Sequence, residues 1–402
     1  MPFFDCKFST ESWYKMRNNP FIIEQVVTPE HLINRTEELQ TVQQTLTQGG
    51  KLFLIAPRRF GKTSILVSSA TRLRENGYSV IYLNLQTLTS MEQLINDILT
   101  QAASFTSNVK KAAEQMRQIF TRFNPNFTYD PNTNLPTVSL GIKSPAQAEQ
   151  PALLIEALRQ LETLAGKQKA PIGVIFDEFQ ELLYLGGADI EKQLRGEMQM
   201  HQRVGYVIAG SETALLTEMI SNPNRPFYKL GLPLFLKILP TDEVAAYITQ
   251  SFRQIKCPIS TEAINEILRA AQNVPHAIQL ICHKLWEYAL LNRLKKVEPQ
   301  EVQATIHTLL SMYNPVYVGI WLNLVPNQRR ILQLIAGGTT TQLLSQASVR
   351  QANLSPGIMQ KSLQSLERTQ ILRKEMDSLT VNYVFLDPLF ALWIKDNAVG
   401  TS

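Results

Sequence analysis

Short apolar runs alternate with amphipathic helical segments along the first 240 residues. The run KLFLI, residues 51–55, leads into a Pro/Arg/Gly turn and then into a segment with helical spacing that extends to Gly77. A second apolar run extends from Tyr78 to Leu85, and another helix begins near Ser90. Apolar runs of this kind are typical of strands buried on both faces, and strand–helix–strand order makes neighbouring strands parallel. The pattern predicts an α/β fold with a parallel sheet.

The same alternation resumes after an interruption at residues 124–150. The order after it is a helix near 151–165, the strand IGVIFDE, a helical stretch at 188–201 and the strand VGYVIAGS. Within the interruption, NFTYD and TVSLGI alternate around the turn-forming PNTN, which is typical of a hairpin. We therefore expect one α/β domain over residues 27–240 with an inserted hairpin and linker. Its first helix is expected to be capped by Asn34.

After Pro240 the periodicity is helical. Four segments between 241 and 324 each carry a capping residue or an early acid and an apolar stripe, which predicts a small helical domain. From 325 to 402, three helical segments precede two strand-like pieces, ILRKEM and TVNYVFLD. Three helices and a two-stranded wing predict a winged helix-turn-helix. Residues 1–26 form an N-terminal extension.

Composition narrows the class of protein. The chain of 402 residues is 44% hydrophobic and 18% charged, and it has no apolar run long enough to span a bilayer, so no membrane anchor is expected. Its first residues lack the order of a signal peptide, and Cys6, Cys257 and Cys282 are scattered without metal-ligand spacing. These features predict a cytoplasmic protein. The net charge of +5 permits an acidic partner such as nucleic acid, but an ordinary solvated surface shows the same charge.

The stretch APRRFGKTS has the order of a phosphate-binding loop, because it follows an apolar strand and opens a helix. The N–H groups of such a loop converge on an anion, and the helix dipole adds partial positive charge. Lys62 can reach the β and γ phosphates of ATP, and Thr63 offers a hydroxyl to Mg²⁺. A fortuitous GKT in a lone turn is the alternative, which this context disfavours. The candidate nucleotide-binding residues of the loop are Ala56, Pro57, Arg58, Arg59, Phe60, Gly61, Lys62, Thr63 and Ser64.

Ala56 stands where the usual G-x-x-x-x-G-K-[ST] pattern begins with glycine. Alanine tolerates an ordinary negative φ, so the substitution is harmless unless this position needs a positive φ or a very close approach of phosphate.

Polar residues end two later apolar strands. Asp177 at the tip of GVIFDEF can hold Mg²⁺, and Glu178 can polarise the attacking water as general base. Alone, such an acid pair most often caps a helix, but a phosphate-binding loop upstream favours a catalytic role. Ser211 can hydrogen-bond the γ-phosphate or the lytic water, or cap the next helix. Arg225 and Lys229 can stabilise transition-state charge, in cis or across a subunit contact, or be solvated loop charges.

These motifs resemble the archaeal-type ATPase family, within the STAND branch of AAA-type P-loop NTPases. The resemblance extends from Val27 to Lys395 and implies an AAA-type α/β domain, a helical lid and a winged helix, with ATP and Mg²⁺ as ligands. The segments that carry it are APRRFGKTS, FDEFQ, AGSETALL, PFYKLG, NVPHAIQLICHKLW and YVFLDPLFALWI.

The resemblance also implies roles for single residues. Lys62 and Thr63 are the Walker A phosphate and metal residues, Asp177 and Glu178 are Walker B, and Ser211 is the polar residue of sensor one.

Three further positions of the family pattern fall in this chain. Pro275 lies at the G-x-P position of the lid, where it is implied to contact the nucleotide together with His276. Asn273 replaces the glycine of that motif, and Leu230 stands where many relatives have arginine.

The function expected is an ATP-binding, ATP-hydrolysing switch whose C-terminal winged helix relays the state of bound ATP or ADP to DNA or to a protein partner, with nucleotide-dependent homo-oligomers. The alternatives are a non-hydrolysing, nucleotide-gated scaffold and an origin-recognition-like DNA-binding ATPase.

Basic residues in the C-terminal unit are the local sign of DNA contact. Acidic residues interleave with them, so a protein-contact module is equally compatible with the pattern. The basic positions are Arg350, Lys361, Arg368, Arg373 and Lys374, and the interleaved acids are Glu367 and Glu375.

Overall fold

The structure is a computed structural model that describes residues 19–23, 25, 27, 32–105, 126–129, 136–139, 149–186, 189–377 and 380–397. The chain forms two compact units. One is Thr28–Lys237, and the other combines Ile238–Ser402 with the segment Met1–Val27. The division of residues 241–402 into a lid and a winged helix stays a prediction.

The first unit is an α/β domain, as the alternating pattern predicts. Its elements are α1 (Thr36–Thr47), β1 (Lys51–Ile55), α2 (Lys62–Glu75), β2 (Ser79–Asn84), α3 (Met91–Ala103), β3 (Asn126–Tyr129), β4 (Pro136–Ser139), α4 (Gln150–Gln168), β5 (Ile172–Asp177), α5 (Gln180–Gly186), α6 (Ile190–Met200), β6 (Val204–Gly210), α7 (Thr213–Ser221) and β7 (Leu232–Phe235). Five strands form one parallel sheet in the order β2-β5-β6-β1-β7.

Strand register brings the ends of the central strands together. Every residue of β5 and β6 is buried, which explains their uninterrupted apolar runs. Asp177 pairs with Asn84 of β2, and Gly210 pairs with Ile55 of β1. The loops that follow β1, β5 and β6 therefore meet at the carboxyl edge of the sheet, where open α/β folds bind ligands.

Two local predictions about this unit have different outcomes. β3 and β4 pair antiparallel, with Asn126 opposite Ser139, as the hairpin prediction requires, and the rest of 124–150 lies largely outside the described residues. The predicted cap at Asn34 is wrong, because α1 follows an N-cap at Arg35. The Asn34 side chain accepts a hydrogen bond from the adjacent Arg35 N–H at 2.8 Å and caps nothing further along.

The second unit is helical and ends in a strand pair followed by one helix. Its elements are α8 (Thr241–Gln254), α9 (Thr261–Ala271), α10 (Pro275–Leu291), α11 (Pro299–Leu322), α12 (Pro326–Ala336), α13 (Gln346–Gln351), α14 (Pro356–Arg368), β8 (Leu372–Asp377), β9 (Thr380–Phe385) and α15 (Pro388–Asn397). Within the described ranges, no helix has the length and apolar character needed to cross a membrane.

Elements α12 to β9 have the predicted order of three helices and an antiparallel strand pair. Ser355 caps α14 by accepting from the Ile358 N–H, and Pro356 occupies the first turn, as the sequence predicts. Leu372 pairs with Phe385, and an isolated bridge joins Thr341 to β9.

The strand pair corrects one expectation about DNA contact. Arg373 is buried and ion-paired with Glu375, so its prediction as a phosphate contact is wrong. Lys374 pairs with Glu367 at 2.7 Å. Among the predicted basic side chains, Arg350, Lys361, Arg368 and Lys374 are exposed, and Lys374 is the one of these that is ion-paired to Glu367.

The described part of the N-terminal extension packs into the helical unit. Phe21 is 0% exposed and lies in an aromatic cluster with Tyr247, Phe252 and Trp286, at ring-centroid distances of 5.7, 5.7 and 6.0 Å. Aromatic pairs at such distances contribute beyond the area that they bury.

Hydrogen bonds fix the backbone around Phe21. His283 Nδ1 donates to the Phe21 carbonyl at 2.6 Å, and Tyr247 donates to the Pro20 carbonyl at 2.8 Å. Asn19 donates to the His283 carbonyl at 3.2 Å. His283, on α10, therefore serves to hold this segment.

Replacing Phe21 by alanine is expected to lower the free energy of unfolding of the helical unit by about 3–5 kcal/mol, because the change leaves a cavity among three aromatic rings. Tryptophan fluorescence in urea measures it selectively, since no tryptophan lies between residues 28 and 237. The control is Tyr288→Ala, because Tyr288 is an aromatic residue of the same unit that is 39% exposed. Equal unfolding curves for Phe21→Ala and the wild type would contradict an anchoring role.

Candidate nucleotide-binding site

The loop between β1 and α2 is shaped by two residues with positive φ. Arg59 has φ 71° and Gly61 has φ 82°. Gly61 is the N-cap of α2, and no described side chain caps this helix end. The first N–H groups of a helix have no partner within the helix, so this loop offers donors and a positive dipole end to an anion.

The predicted loop residues differ in exposure. Ala56 and Phe60 are 0% and 1% exposed, so they anchor the loop in the core. Lys62 and Ser64 are buried, Pro57, Gly61 and Thr63 are half-buried, and Arg58 and Arg59 are exposed. A ligand in this loop would therefore meet mainly backbone, Lys62 and Thr63.

Four predicted site residues lie in direct contact. Lys62 Nζ lies 2.8 Å from Asp177 Oδ1 and 2.6 Å from Glu178 Oε1. Thr63 Oγ1 donates to Asp177 Oδ2 at 2.8 Å. Lys62 is 5% and Asp177 1% exposed, so these charges attract each other with little screening by water. The sequence motifs of β1–α2 and β5 thus form one polar cluster.

The second carboxylate oxygen of Glu178 is held by two other residues. Gln180 Nε2 donates to Glu178 Oε2 at 2.6 Å, and Ser211 donates to the same oxygen from Oγ at 2.8 Å and from N at 3.2 Å. Burial alone would raise the pKa of Glu178, but Lys62 and these hydrogen bonds lower it below its ordinary value. Glu178 is therefore a carboxylate at neutral pH.

Two residues of this cluster escaped sequence reasoning. Tyr82 donates from its hydroxyl to Asp177 Oδ2 at 3.0 Å, and burial beside Asp177 raises the pKa of Tyr82. Gln180 is 2% exposed beneath Glu178. The available signals were a tyrosine near the end of β2 and the glutamine of FDEFQ.

The donor set suits a magnesium ion that is bound together with a nucleotide. Mg²⁺ prefers oxygen ligands, takes one or two from the protein, and completes its shell with phosphate and water oxygens. Thr63 Oγ1 and Asp177 Oδ2 are adjacent oxygens beside the loop. In the described part of the chain, no group of three His, Cys, Asp or Glu side chains could hold a metal ion by itself.

The other predicted residues make contacts with residues outside this cluster or belong to the second unit. Arg225 pairs with the buried Glu191 at 2.8 Å, so it neutralises a carboxylate of its own unit. Lys229 is exposed beside the Tyr228 ring, and Leu230 packs against the core. Pro275 is the first residue of α10, and its contact with the nucleotide stays a prediction.

Replacing Ala56 by glycine is expected to leave the affinity for ATP within about threefold, because Ala56 itself has an ordinary φ and needs no glycine. Isothermal titration calorimetry with Mg²⁺ and ATP measures the affinity. A large loss would show that the buried Ala56 methyl shapes the loop.

Comparison with known proteins agrees with this geometry. Residues 32–281, more than half of the chain, match the model of a family described as an ATPase domain predominantly from Archaea. No curated protein matches the sequence significantly.

Two solved structures show the same fold. A Walker-type ATPase of Pyrococcus abyssi is 17% identical, with a TM-score of 0.62 over 94% of this chain and 99% of that one. The ORC2 protein of Aeropyrum pernix, in ADPNP and ADP complexes, is 15% identical, with a TM-score of 0.53 over 95% of this chain and 97% of that one. With the family match and the P-loop geometry, the conclusion is that this chain belongs to the family of ATPase domains found predominantly in Archaea.

Proposed function

We propose that this chain binds ATP with Mg²⁺ at the carboxyl edge of its sheet, hydrolyses it, and works as a nucleotide-controlled switch of the STAND type. The observation that carries the proposal is the contact of Lys62 Nζ with both Asp177 and Glu178, at 2.8 and 2.6 Å. The lysine proposed to bind phosphate thus lies within hydrogen-bond reach of both the acid proposed to hold the metal ion and the candidate base.

Binding follows from the loop and Lys62. The N–H groups at the start of α2 surround the phosphates, and Lys62 provides the charge that a terminal phosphate needs. The ammonium group is shared by two carboxylates, so an incoming γ-phosphate competes with them for it. When bound, Mg²⁺ would be held by Thr63 and Asp177 and would neutralise phosphate charge.

Hydrolysis needs a base beside the terminal phosphate. Glu178 has both oxygens engaged, Oε1 by Lys62 and Oε2 by Gln180 and Ser211. When the Lys62 ammonium group turns toward the phosphate, it releases Glu178 Oε1. This oxygen can then accept a proton from the attacking water. Ser211 keeps the other oxygen in place.

The experiment is a phosphate-release assay on the purified full chain at saturating ATP, with Mg²⁺ and with EDTA. We expect steady turnover that needs Mg²⁺. Tight binding of ATP without phosphate release would instead support the non-hydrolysing scaffold. Mass measurement by light scattering with ATP and with ADP tests for the nucleotide-dependent homo-oligomer, and fractionation of cells tests the cytoplasmic location.

The switch requires a partner that reads the nucleotide state, and DNA is the candidate that the exposed basic side chains favour. Lys361 and Arg368 are seven residues apart on α14, which places them on one helix face, and Arg350 on α13 is also exposed. A winged helix made of α12, α13, α14 and the β8–β9 pair would present this surface to phosphates.

Reversing the charges of Arg350, Lys361 and Arg368 to glutamate is expected to weaken binding to duplex DNA and to lower the salt slope by about 0.9 for each lost phosphate contact. Fluorescence anisotropy over a range of salt concentrations measures both quantities. The control reverses Arg293, Lys295 and Lys296, which are exposed and carry the same total charge.

Equal effects of the two triple variants would mean that net charge alone, and not the predicted surface, attracts the DNA. If the wild-type protein with ATP shows no DNA affinity even at low salt, the unit is a protein-contact module and the DNA proposal is withdrawn.

A further inference from the structure

Glu178 lies at a strained point of the backbone. It has φ 55°, in the left-handed region that favours glycine, between the end of β5 and the start of α5. Beyond it, the Phe179 N–H donates to the Ala209 carbonyl of β6 at 2.8 Å, which fixes the turn against the neighbouring strand. Strained backbone of this kind persists where the surroundings hold it, and it is concentrated at functional sites.

Gln180 is buried at a position where an apolar side chain would destabilise the fold less. Its Nε2 group bonds Glu178 Oε2, whereas its Oε1 atom is buried with no hydrogen-bond partner among the described residues. An unpaired buried amide oxygen destabilises a fold. The glutamine therefore has no evident advantage for packing, and its one polar contact is the candidate base.

The glycine that ends β6 makes room for this amide. A Cβ atom on Gly210 would lie 2.4 Å from Gln180 Oε1 and 2.7 Å from Leu216 Cδ1. Real Cβ contacts of this length do not occur, so an alanine here would displace the Gln180 amide. Gly210 thus leaves space for the Gln180 amide, which contacts the same Glu178 oxygen as Ser211, the residue that follows Gly210.

We propose that Gln180 is a positioning residue for hydrolysis: with Ser211 it holds Glu178 Oε2, so that Oε1 is the oxygen turned toward Lys62 and the terminal phosphate. This inference rests on the proposed role of Glu178 as general base. In this proposal Gln180 acts through Glu178 and needs no contact with the nucleotide or the attacking water. Gly210 acts through Gln180 by leaving space for its amide.

The test replaces Gln180 by methionine, which has a similar volume and no N–H group. We expect kcat for phosphate release to fall at least roughly 10-fold, as expected for a misplaced catalytic group, with calorimetric affinity for ATP and thermal unfolding close to wild type. Gly210→Ala, with an intact Gln180, is expected to lower kcat in the same way. Gln160→Met is the control, because Gln160 donates to the Glu156 carboxylate at 2.5 Å in α4.

The double variant separates positioning from a merely structural role. In a Glu178→Gln background, Gln180→Met is expected to cause no further loss of turnover, since the base that it positions is already gone. A wild-type kcat in Gln180→Met, a parallel loss of ATP affinity, or an additive loss in the double variant would overturn the inference. Absence of turnover in the wild-type protein would instead overturn the proposed hydrolysis and, with it, this role of Gln180.

Discussion

Replacing Lys62 by alanine is expected to remove ATP binding, with a loss of about 3 kcal/mol or more, roughly 100-fold in affinity. Two effects act in the same direction. The variant loses the charged donor that would reach the terminal phosphate. It also leaves Asp177 and Glu178 without the cation that lies 2.8 and 2.6 Å from them, so two carboxylates then face an anionic ligand.

Calorimetric titration with Mg²⁺ and ATP measures this loss, after circular dichroism has shown that the variant is folded. The matched control is Lys296→Ala, because Lys296 pairs with Glu298 at 2.6 Å on the surface of the helical unit. Unchanged affinity in Lys62→Ala would exclude the phosphate-binding role of Lys62.

The sheet could be predicted largely because its central strands are buried on both faces. The inner strands β1, β5 and β6 appear in the sequence as apolar runs bounded by turns or polar residues, and the edge strand β2 has a shorter run of the same kind. The other edge strand, β7, gives no such signal. Its sequence LPLF contains Pro233 and is mostly exposed, and a proline within an apolar run argues against a strand except at a sheet edge.

The sequence also predicts that the loop after β1 and the polar residues after β5 and β6 meet at one edge of the sheet, because parallel strands align their carboxyl ends. The individual contacts could not, since they depend on register and rotamers. The hydroxyl of Tyr82 reaches Asp177 because β2 lies beside β5 with Asn84 opposite Asp177. A sequence pattern fixes neither the neighbouring strand nor the residue opposite.

Charged residues of the β8–β9 pair show a second limit of prediction from sequence. Basic residues in a row indicate a surface for acidic partners only when they are exposed and free of local acids. Arg373 points into the unit and pairs with Glu375, two residues along β8, so its charge is used within the fold. Lys361 and Arg368 lie on the exposed face of a helix instead.

Glu178, which directly follows strand β5, is expected to separate binding from turnover. Replacing Glu178 by glutamine keeps the size of the side chain and removes its capacity to accept a proton from water. We expect ATP binding to persist and phosphate release to fall roughly 100- to 10,000-fold, the range typical of a lost general base. Asp177→Asn is expected to differ, because Asp177 Oδ2 lies beside Thr63 Oγ1 and would serve the metal ion.

Two measurements distinguish these variants. Calorimetry with Mg²⁺ and with EDTA should show that Asp177→Asn loses mainly the magnesium-dependent part of ATP affinity, whereas Glu178→Gln retains it. Single-turnover phosphate release should be slow in Glu178→Gln and unaffected in the control Glu156→Gln, whose carboxylate contacts Arg159 at 2.9 Å and Gln160 at 2.5 Å. Because Glu156 has a cation and a glutamine as neighbours, as Glu178 has, the control separates loss of a surface ion pair from loss of the base. Equal turnover in Glu178→Gln and the wild type would exclude Glu178 as general base and assign the activation of water to another group.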